Sequence, residues 1–163
     1  ATGESPALTL RAWLLEAASG GLVAIGQREM VHVLDTYRSW PVPLAPPGCD
    51  RLLLWQGRVL PVMNLAARLG GQAAEDGARA GVVAWSGTDG AIAFGALVLH
   101  SLPIAEDLGE PRAAAIEDVP AQWRAYSHSA FFRQDEVVPV LDLAALFAGG
   151  RQTQEQAQGR PGT

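Results

Sequence analysis

The sequence predicts a mainly-β protein made of two similar small barrels, and three observations carry that prediction. Short apolar runs recur between closely spaced glycines and prolines, one segment repeats at a fixed offset, and helical signal is confined to three short stretches. The runs are LRAWLLEA, LVAIG, MVHVLD, RLLLW, RVLPVMNL, AGVVAW, AIAFGALVL and EVVPVLDL. Each is four to nine residues or so and bounded by turn formers, which is the signature of strands rather than of long helices. Even spacing of such strands suggests a closed or sandwiched all-β architecture.

The elements follow in order. Residues 1–7 carry no periodic pattern and are predicted to be loose. Residues 8–150 form the folded domain, and the polar tail 151–163 has almost nothing to bury and is predicted to be disordered. Between Trp85 and Ala91, Gly87 and Gly90 are both able to take positive φ, so this stretch reads as a hairpin turn. Helical turns are predicted after Asn64, near Pro120–Tyr126, and after Asp142.

The repeat is the most informative feature. Arg58-Val-Leu-Pro-Val-Met-Asn-Leu-Ala-Ala-Arg-Leu69 matches Glu136-Val-Val-Pro-Val-Leu-Asp-Leu-Ala-Ala-Leu-Phe147 at an offset of 78 residues, the difference between 136 and 58. Val59, Pro61, Val62, Leu65, Ala66 and Ala67 recur at Val137, Pro139, Val140, Leu143, Ala144 and Ala145, and a glycine pair follows each copy. In each, the proline lacks a ladder donor and marks an edge or bulge. Asn64 or Asp142 then stands where an N-cap belongs, ahead of Leu-Ala-Ala and a glycine stop. Two copies of this unit predict two pseudo-symmetric halves.

Composition bounds the function. A chain of 163 residues with 48% hydrophobic and 18% charged residues can bury a core without metal or disulfide staples. Cys49 is the only cysteine, so no internal disulfide forms, which fits a reducing, cytoplasmic setting; Cys49 itself reads as a small apolar filler or a loop bystander. The net charge of −5, with no basic cluster, argues against nucleic acid and anionic membrane partners. No apolar run is long enough to insert into a bilayer, and no secretory leader is visible.

Motifs for catalysis are missing. There is no phosphate-cradling loop, no dinucleotide glycine motif and no nucleophile elbow. His32, His100 and His128 have no metal-ligand spacing, so no metal, cofactor or catalytic residue is predicted. Ser127, His128 and Ser129 are sequence neighbours whose side chains alternate in direction, which is not a triad. The scattered carboxylates form no acid–base pair by spacing.

Candidate contact residues remain. His32, alternating with Met30 and Leu34, reads either as a partly buried surface imidazole or as a contact at an apolar protein interface. Trp13 and Trp85 lie in apolar runs and are assigned to the core. Trp55 ends RLLLW just before the Gln56-Gly57 turn and stands between core and exposed contact, with core the stronger reading.

At this point the residues resemble a known family. Pro43-x-x-Pro46, Arg51-Leu-Leu-Leu-Trp-Gln-Gly57, the Arg58–Gly70 stretch, Phe94-Gly-Ala-Leu-Val98 and Val137-Val-Pro-Val-Leu-Asp-Leu143 are together similar to the CheW-like domain, from about Leu8 to Phe147. The resemblance implies two pseudo-symmetric five-stranded SH3-like β-barrel subdomains sharing a hydrophobic core. It implies a non-enzymatic adaptor in swimming chemotaxis or pilus-driven motility. Its partners would be the regulatory domain of a CheA-type histidine kinase and the cytoplasmic tip of a chemoreceptor. The implied contact surface comprises Met30, His32, Arg51, Leu54, Trp55 and Gln56. This chain departs from the family's Gly-x-x-Asn-x-Arg-Gly at Arg51, Leu54 and Gln56. His32 stands where a carboxylate is usual, and Leu99 where an Asp is usual. A regulatory or localisation module cut from a larger protein, and an enzyme or small-molecule sensor on a barrel, are the competing readings.

Overall fold

In β7 (Arg79–Ser86) and β8 (Ile92–Leu99), successive residues are buried on both faces. Val82, Ala96 and Val98 enter one apolar cluster, while Val83, Leu97 and Leu99 enter another. Strands covered on both sides read as unbroken apolar runs, which is why AIAFGALVL does not alternate. The computed structural model describes residues 11–16, 21–43, 49–65, 79–87 and 89–148. Residues 1–7, the tail 151–163 and the chain after Leu65 to Ala78 therefore lie outside the described residues.

Ten further strands complete two sheets. They are β1 (Arg11–Glu16), β2 (Leu22–Gly26), β3 (Met30–Leu34), β4 (Ser39–Pro41), β5 (Arg51–Trp55), β6 (Arg58–Met63), β9 (Ile104–Asp107), β10 (Ala113–Ala114), β11 (Ser127–Arg133) and β12 (Glu136–Leu141). A contiguous sheet runs β4-β5-β6-β8-β7-β3, and a split sheet, made from both ends of the chain, runs β10-β11-β12-β2-β1-β9. Read in this direction the two orders correspond strand for strand. Each sheet has six strands where the resemblance implied five per half, with β4 and β10 the shortest at three and two residues.

The 78-residue offset holds in the hydrogen-bond register. Arg51 opposes Val62 and Trp55 opposes Arg58; Ser129 opposes Val140 and Arg133 opposes Glu136. Val62 then pairs in parallel with Ala96, and Val140 in parallel with Ala24. In both halves the parallel pairing begins just after the proline, so Pro61 and Pro139 occupy the last residue before the strand becomes interior. That is where a missing N–H costs least. The halves are related by circular permutation: β3 to β8 build one, and β9 to β12 followed by β1 and β2 build the other.

Three apolar clusters fill the molecule. Leu53, Leu60, Val62, Ala80, Val82, Ala96 and Val98 fill the contiguous half, and Ala12, Leu14, Ala24, Phe131 and Val138 fill the split half. Between them lies a shared core from both sheets, including Leu15, Ile25, Met63, Leu97, Leu141 and Leu146. Full burial of each such Leu, Ile or Met side chain contributes roughly 1.5–3 kcal/mol. Trp13 and Trp85 are half-buried at the margin of this core, and the Trp13 ring donates its Nε1–H to the Gln27 carbonyl at 3.2 Å. Cys49 also packs against the shared core.

Helices are brief. After Asp142, α2 (Leu143–Ala148) starts with the Ala145 N–H donating to Asp142 Oδ1 at 3.2 Å, the cap the repeat predicted. Its Phe147 stacks on Trp85 with centroids 4.6 Å apart and lies so close to Gly95 that an added Cβ would meet the ring at 2.6 Å. A short helix, α1 (Ala121–Arg124), buries Trp123 to 5% exposure within the shared core. The turn at 85–91 closes by Gly87 N–H donating to the Ala91 carbonyl at 2.8 Å, but only Gly90, at φ 79°, is left-handed; Gly87 is not.

One correction concerns β3. Met30, His32 and Leu34 do not share a face, because the register with β7 slips between Met30 and His32. Such a bulge reverses side-chain parity. Met30 packs against the shared core and Leu34 against the cluster of the contiguous half.

Candidate protein-binding surface

The surface begins with the β5–β6 hairpin. Trp55 and Arg58 are the last opposed pair, and the two residues between them, Gln56 and Gly57, have φ of 48° and 75°. Two left-handed residues in a two-residue loop match the strand twist and make a tight reversal. The turn thus fixes Trp55 at the end of its strand, where the contiguous half's interior reaches its mouth.

Rings stack across that mouth. His32 lies against Trp55 with centroids 6.3 Å apart and planes 29° apart, and Trp55 is tilted on Phe94 at 6.3 Å. The Arg58 guanidinium sits 4.4 Å above the Phe94 ring, a cation–π arrangement. Trp55 and Phe94 are half-buried and pack against the contiguous half's cluster, whereas His32 is exposed. Trp55 therefore takes both roles considered for it: one side of the ring closes the interior, and the other borders solvent.

Beside this stack, Leu34, Thr36, Tyr37, Arg38, Trp40, Leu54 and Trp55 line an open groove of about 410 Å³. Strand parity explains its apolar wall. Leu53, Leu60 and Val62 point inward, so Leu54 and Val59, directly opposed, point outward, and Trp40 opposes Leu52. Leu54 is 59% exposed, Val59 63% and Trp40 51%. Large apolar residues grouped on one exposed face mark a binding surface more often than single ones do.

The six sequence candidates divide. His32, Leu54, Trp55 and Gln56 come together at the hairpin end. Arg51 lies four residues back along β5, about 13 Å at strand rise. Its Nε donates to Ser39 Oγ at 2.5 Å and its Nη2 to the Ser39 carbonyl at 3.0 Å, so the half-buried guanidinium ties β5 to β4. Met30 turns inward, its Sδ only 2.9 Å from where a Cβ on Gly81 would sit. Leu99, at the position where the family often has Asp, is 5% exposed in the shared core. Tyr37, Arg38, Trp40 and Val59 were missed, although the in–out alternation of Arg58–Met63 already marked Val59 as outward.

Outside the groove, Val31, Ile92, Leu102 and Ile104 are also exposed. A smaller cleft of about 190 Å³ is lined by Arg11, Gln27, Glu106 and Asp107 among others. It is bordered by ion pairs of Arg11 with Asp107 at 3.7 Å and Arg133 with Glu106 at 2.9 Å. His128 Nδ1 lies 3.0 Å from Ser129 Oγ. Among the described residues there is no group of three or more His, Cys, Asp or Glu able to hold a metal ion, and no helix long and apolar enough to cross a membrane.

Two pseudo-symmetric SH3-like lobes, packed on a shared apolar core and with an apolar groove on one of them, define a two-lobed β module. The chain belongs to the CheW-like domain family, which matches residues 13–150. Its fold is similar to the crystal structure of the scaffolding protein TtCheW from Thermoanaerobacter tengcongensis, with a TM-score of 0.72, at 15% identity over 86% of this chain and 93% of that one. No curated protein matches it in sequence. Proteins of the family bind chemoreceptors and CheA in general.

Proposed function

We propose that the chain is a non-enzymatic adaptor of a bacterial chemosensory complex, working on the cytoplasmic side, that couples receptors to a CheA-type histidine kinase. Swimming chemotaxis and pilus-driven motility both use such a coupling. The observation that carries the reading is the filled interior. Among the described residues, Leu, Val, Ala and one Phe fill the interiors of both lobes, while large apolar side chains stand outside, where a protein partner can reach them. The family match over most of the chain supplies the class of partner.

His32, Leu54, Trp55 and Gln56 form the contact surface, extended by Tyr37, Trp40 and Val59. Arg51 and Met30 support it from behind. Losing the usual carboxylate at His32 and the usual Arg at Gln56 shifts recognition from an ion pair toward ring stacking and apolar contact. Titration calorimetry of the purified chain against the regulatory domain of a CheA-type kinase, and against a receptor cytoplasmic fragment, tests the proposal. Binding to at least one is expected, and Trp55→Ala should weaken it by a few kcal/mol at most while the thermal melt stays close to wild type. Absence of binding to both would remove the adaptor reading.

A further inference from the structure

The groove of the contiguous half is lined by rings and by hydrogen-bond donors. Trp40, Leu54 and Arg38 are exposed on its wall, and Trp55 is half-buried there. The Trp13 ring donates its Nε1–H to the Gln27 carbonyl, but the indole N–H groups of Trp40 and Trp55 have no acceptor among the described residues. Arg38 makes no ion pair among them either. The Trp55 ring is held between His32 and Phe94, each with its centroid 6.3 Å away, so its donor is fixed in place. The corresponding positions of the split half carry Ala114 and Arg133, which supply neither indole.

We propose that this groove seats a proline-rich segment of a partner protein in the polyproline II form, with an acidic residue at the Arg38 end. The two indoles and the guanidinium donate and cannot accept, so the occupant that suits them is rich in acceptors and poor in N–H groups. Proline has no N–H, and a polyproline II segment has no internal hydrogen bonds, so its carbonyls are free to accept from Trp40 and Trp55. An α-helix presents its carbonyls already bonded along its length and leaves both indoles unsatisfied. Proline rings pack on the faces of Trp40 and Trp55 beside Leu54, the arrangement by which aromatic-lined grooves grip such segments, and little conformational entropy is lost because the segment is already extended. A carboxylate at one end meets the exposed Arg38, a contact that weakens in salt. The inference rests on the same contact surface as the adaptor reading and adds the chemistry of the segment it grips.

The test is an NMR titration of the full chain, labelled with nitrogen-15, with an acetylated peptide of alternating prolines and leucines that ends in two glutamates. Of the five indole Nε1–H signals, those of Trp40 and Trp55 should move saturably while the other three stay in place. Trp40→Phe and Trp55→Phe keep a ring but remove the donor, and each should weaken binding roughly three- to tenfold, the usual worth of one hydrogen bond. Replacing the glutamates by glutamine should weaken binding to wild type and make no difference to Arg38→Gln. Indole signals that stay still up to millimolar peptide, or an alanine-for-proline peptide that binds as well as the original, would overturn the proposal. So would Phe variants that keep full affinity while their spectra remain those of a folded chain. Calorimetry of wild type with the kinase regulatory domain and the receptor fragment separates the two readings: binding to either without binding to the peptide removes this inference and leaves the adaptor standing.

Discussion

Positions 55 and 133 are the same place in two copies of one hairpin, yet one holds Trp and the other Arg. Their neighbours differ in the same sense. Leu34 opposes Ala80 in the contiguous half, and Glu106 opposes Ala12 at the corresponding position of the split half. Trp55 and Leu34 thus line an open apolar groove, while Arg133 and Glu106 close the matching spot with a half-buried ion pair at 2.9 Å. The outer face of the three outermost strands diverges further. In the split half, Val119 and Trp123 lie in the shared core with Ala130, and Ala114 and Val137 pack against it. In the contiguous half, Trp40 and Val59, the equivalents of Ala114 and Val137, are exposed, and so is Leu54, the equivalent of the half-buried Phe132. The same backbone therefore appears in two forms: one copy is closed by its own chain, and among the described residues the other is left open.

The largest test of that contrast is the loss of a tryptophan from each half. Trp123→Ala removes a ring that is 5% exposed and should lower unfolding free energy by about 3–5 kcal/mol in urea titrations. Trp40→Ala, at 51% exposure, should stay within about 0.5 kcal/mol. Comparable losses would mean that the outer face of the contiguous half is covered after all.

A smaller effect comes from Gly95→Ala. The new Cβ meets the Phe147 ring at 2.6 Å, and that ring cannot move without leaving Trp85, so a loss of about 1–3 kcal/mol is expected. A melt unchanged from wild type would show that α2 packs more loosely on β8 than the close approach implies. Asp142→Ala removes the α2 cap and should cost about 1 kcal/mol.

The smallest effect concerns the turn between the halves. Burial pushes the Glu29 carboxyl above its ordinary 4.5, against the pull of the Gly26 N–H at 2.7 Å and of His128, with Asp142 adding to the rise. A raised carboxyl means that the folded chain holds the proton more tightly than the unfolded one. Its contribution to stability is therefore present below the ordinary value and is lost as pH rises through the folded titration. Glu29→Gln should flatten that part of the pH–stability profile, measured by urea midpoints; parallel profiles would assign the slope to other groups.

How much could be read from the sequence varies with how local each feature is. The repeat, the Pro-to-cap order and the hairpin at Gln56-Gly57 depend on contacts within a dozen residues, and the corresponding strands match at 78 residues. The assembly of one sheet from both chain ends depends on β12 meeting β2, a pairing that no local pattern encodes. The bulge before His32 is equally silent in MVHVL, where simple alternation put Met30 on the wrong side. Trp55, read from the sequence as more core than contact, is half-buried against the contiguous half's cluster, and Leu54 entered only through the family resemblance. Trp40 was not legible, since no pattern in the three residues Ser39–Pro41 marks which face of so short a strand is exposed.

The most direct test compares the two equivalent positions in one experiment. Trp55→Ala and Arg133→Ala are each titrated into the regulatory domain of a CheA-type kinase and into a receptor cytoplasmic fragment, with melts to confirm folding. The open-lobe account predicts at least a tenfold loss of affinity with one of these partners, roughly 1.4 kcal/mol, for Trp55→Ala and little change for Arg133→Ala. Equal losses, or a loss confined to Arg133→Ala, would contradict it.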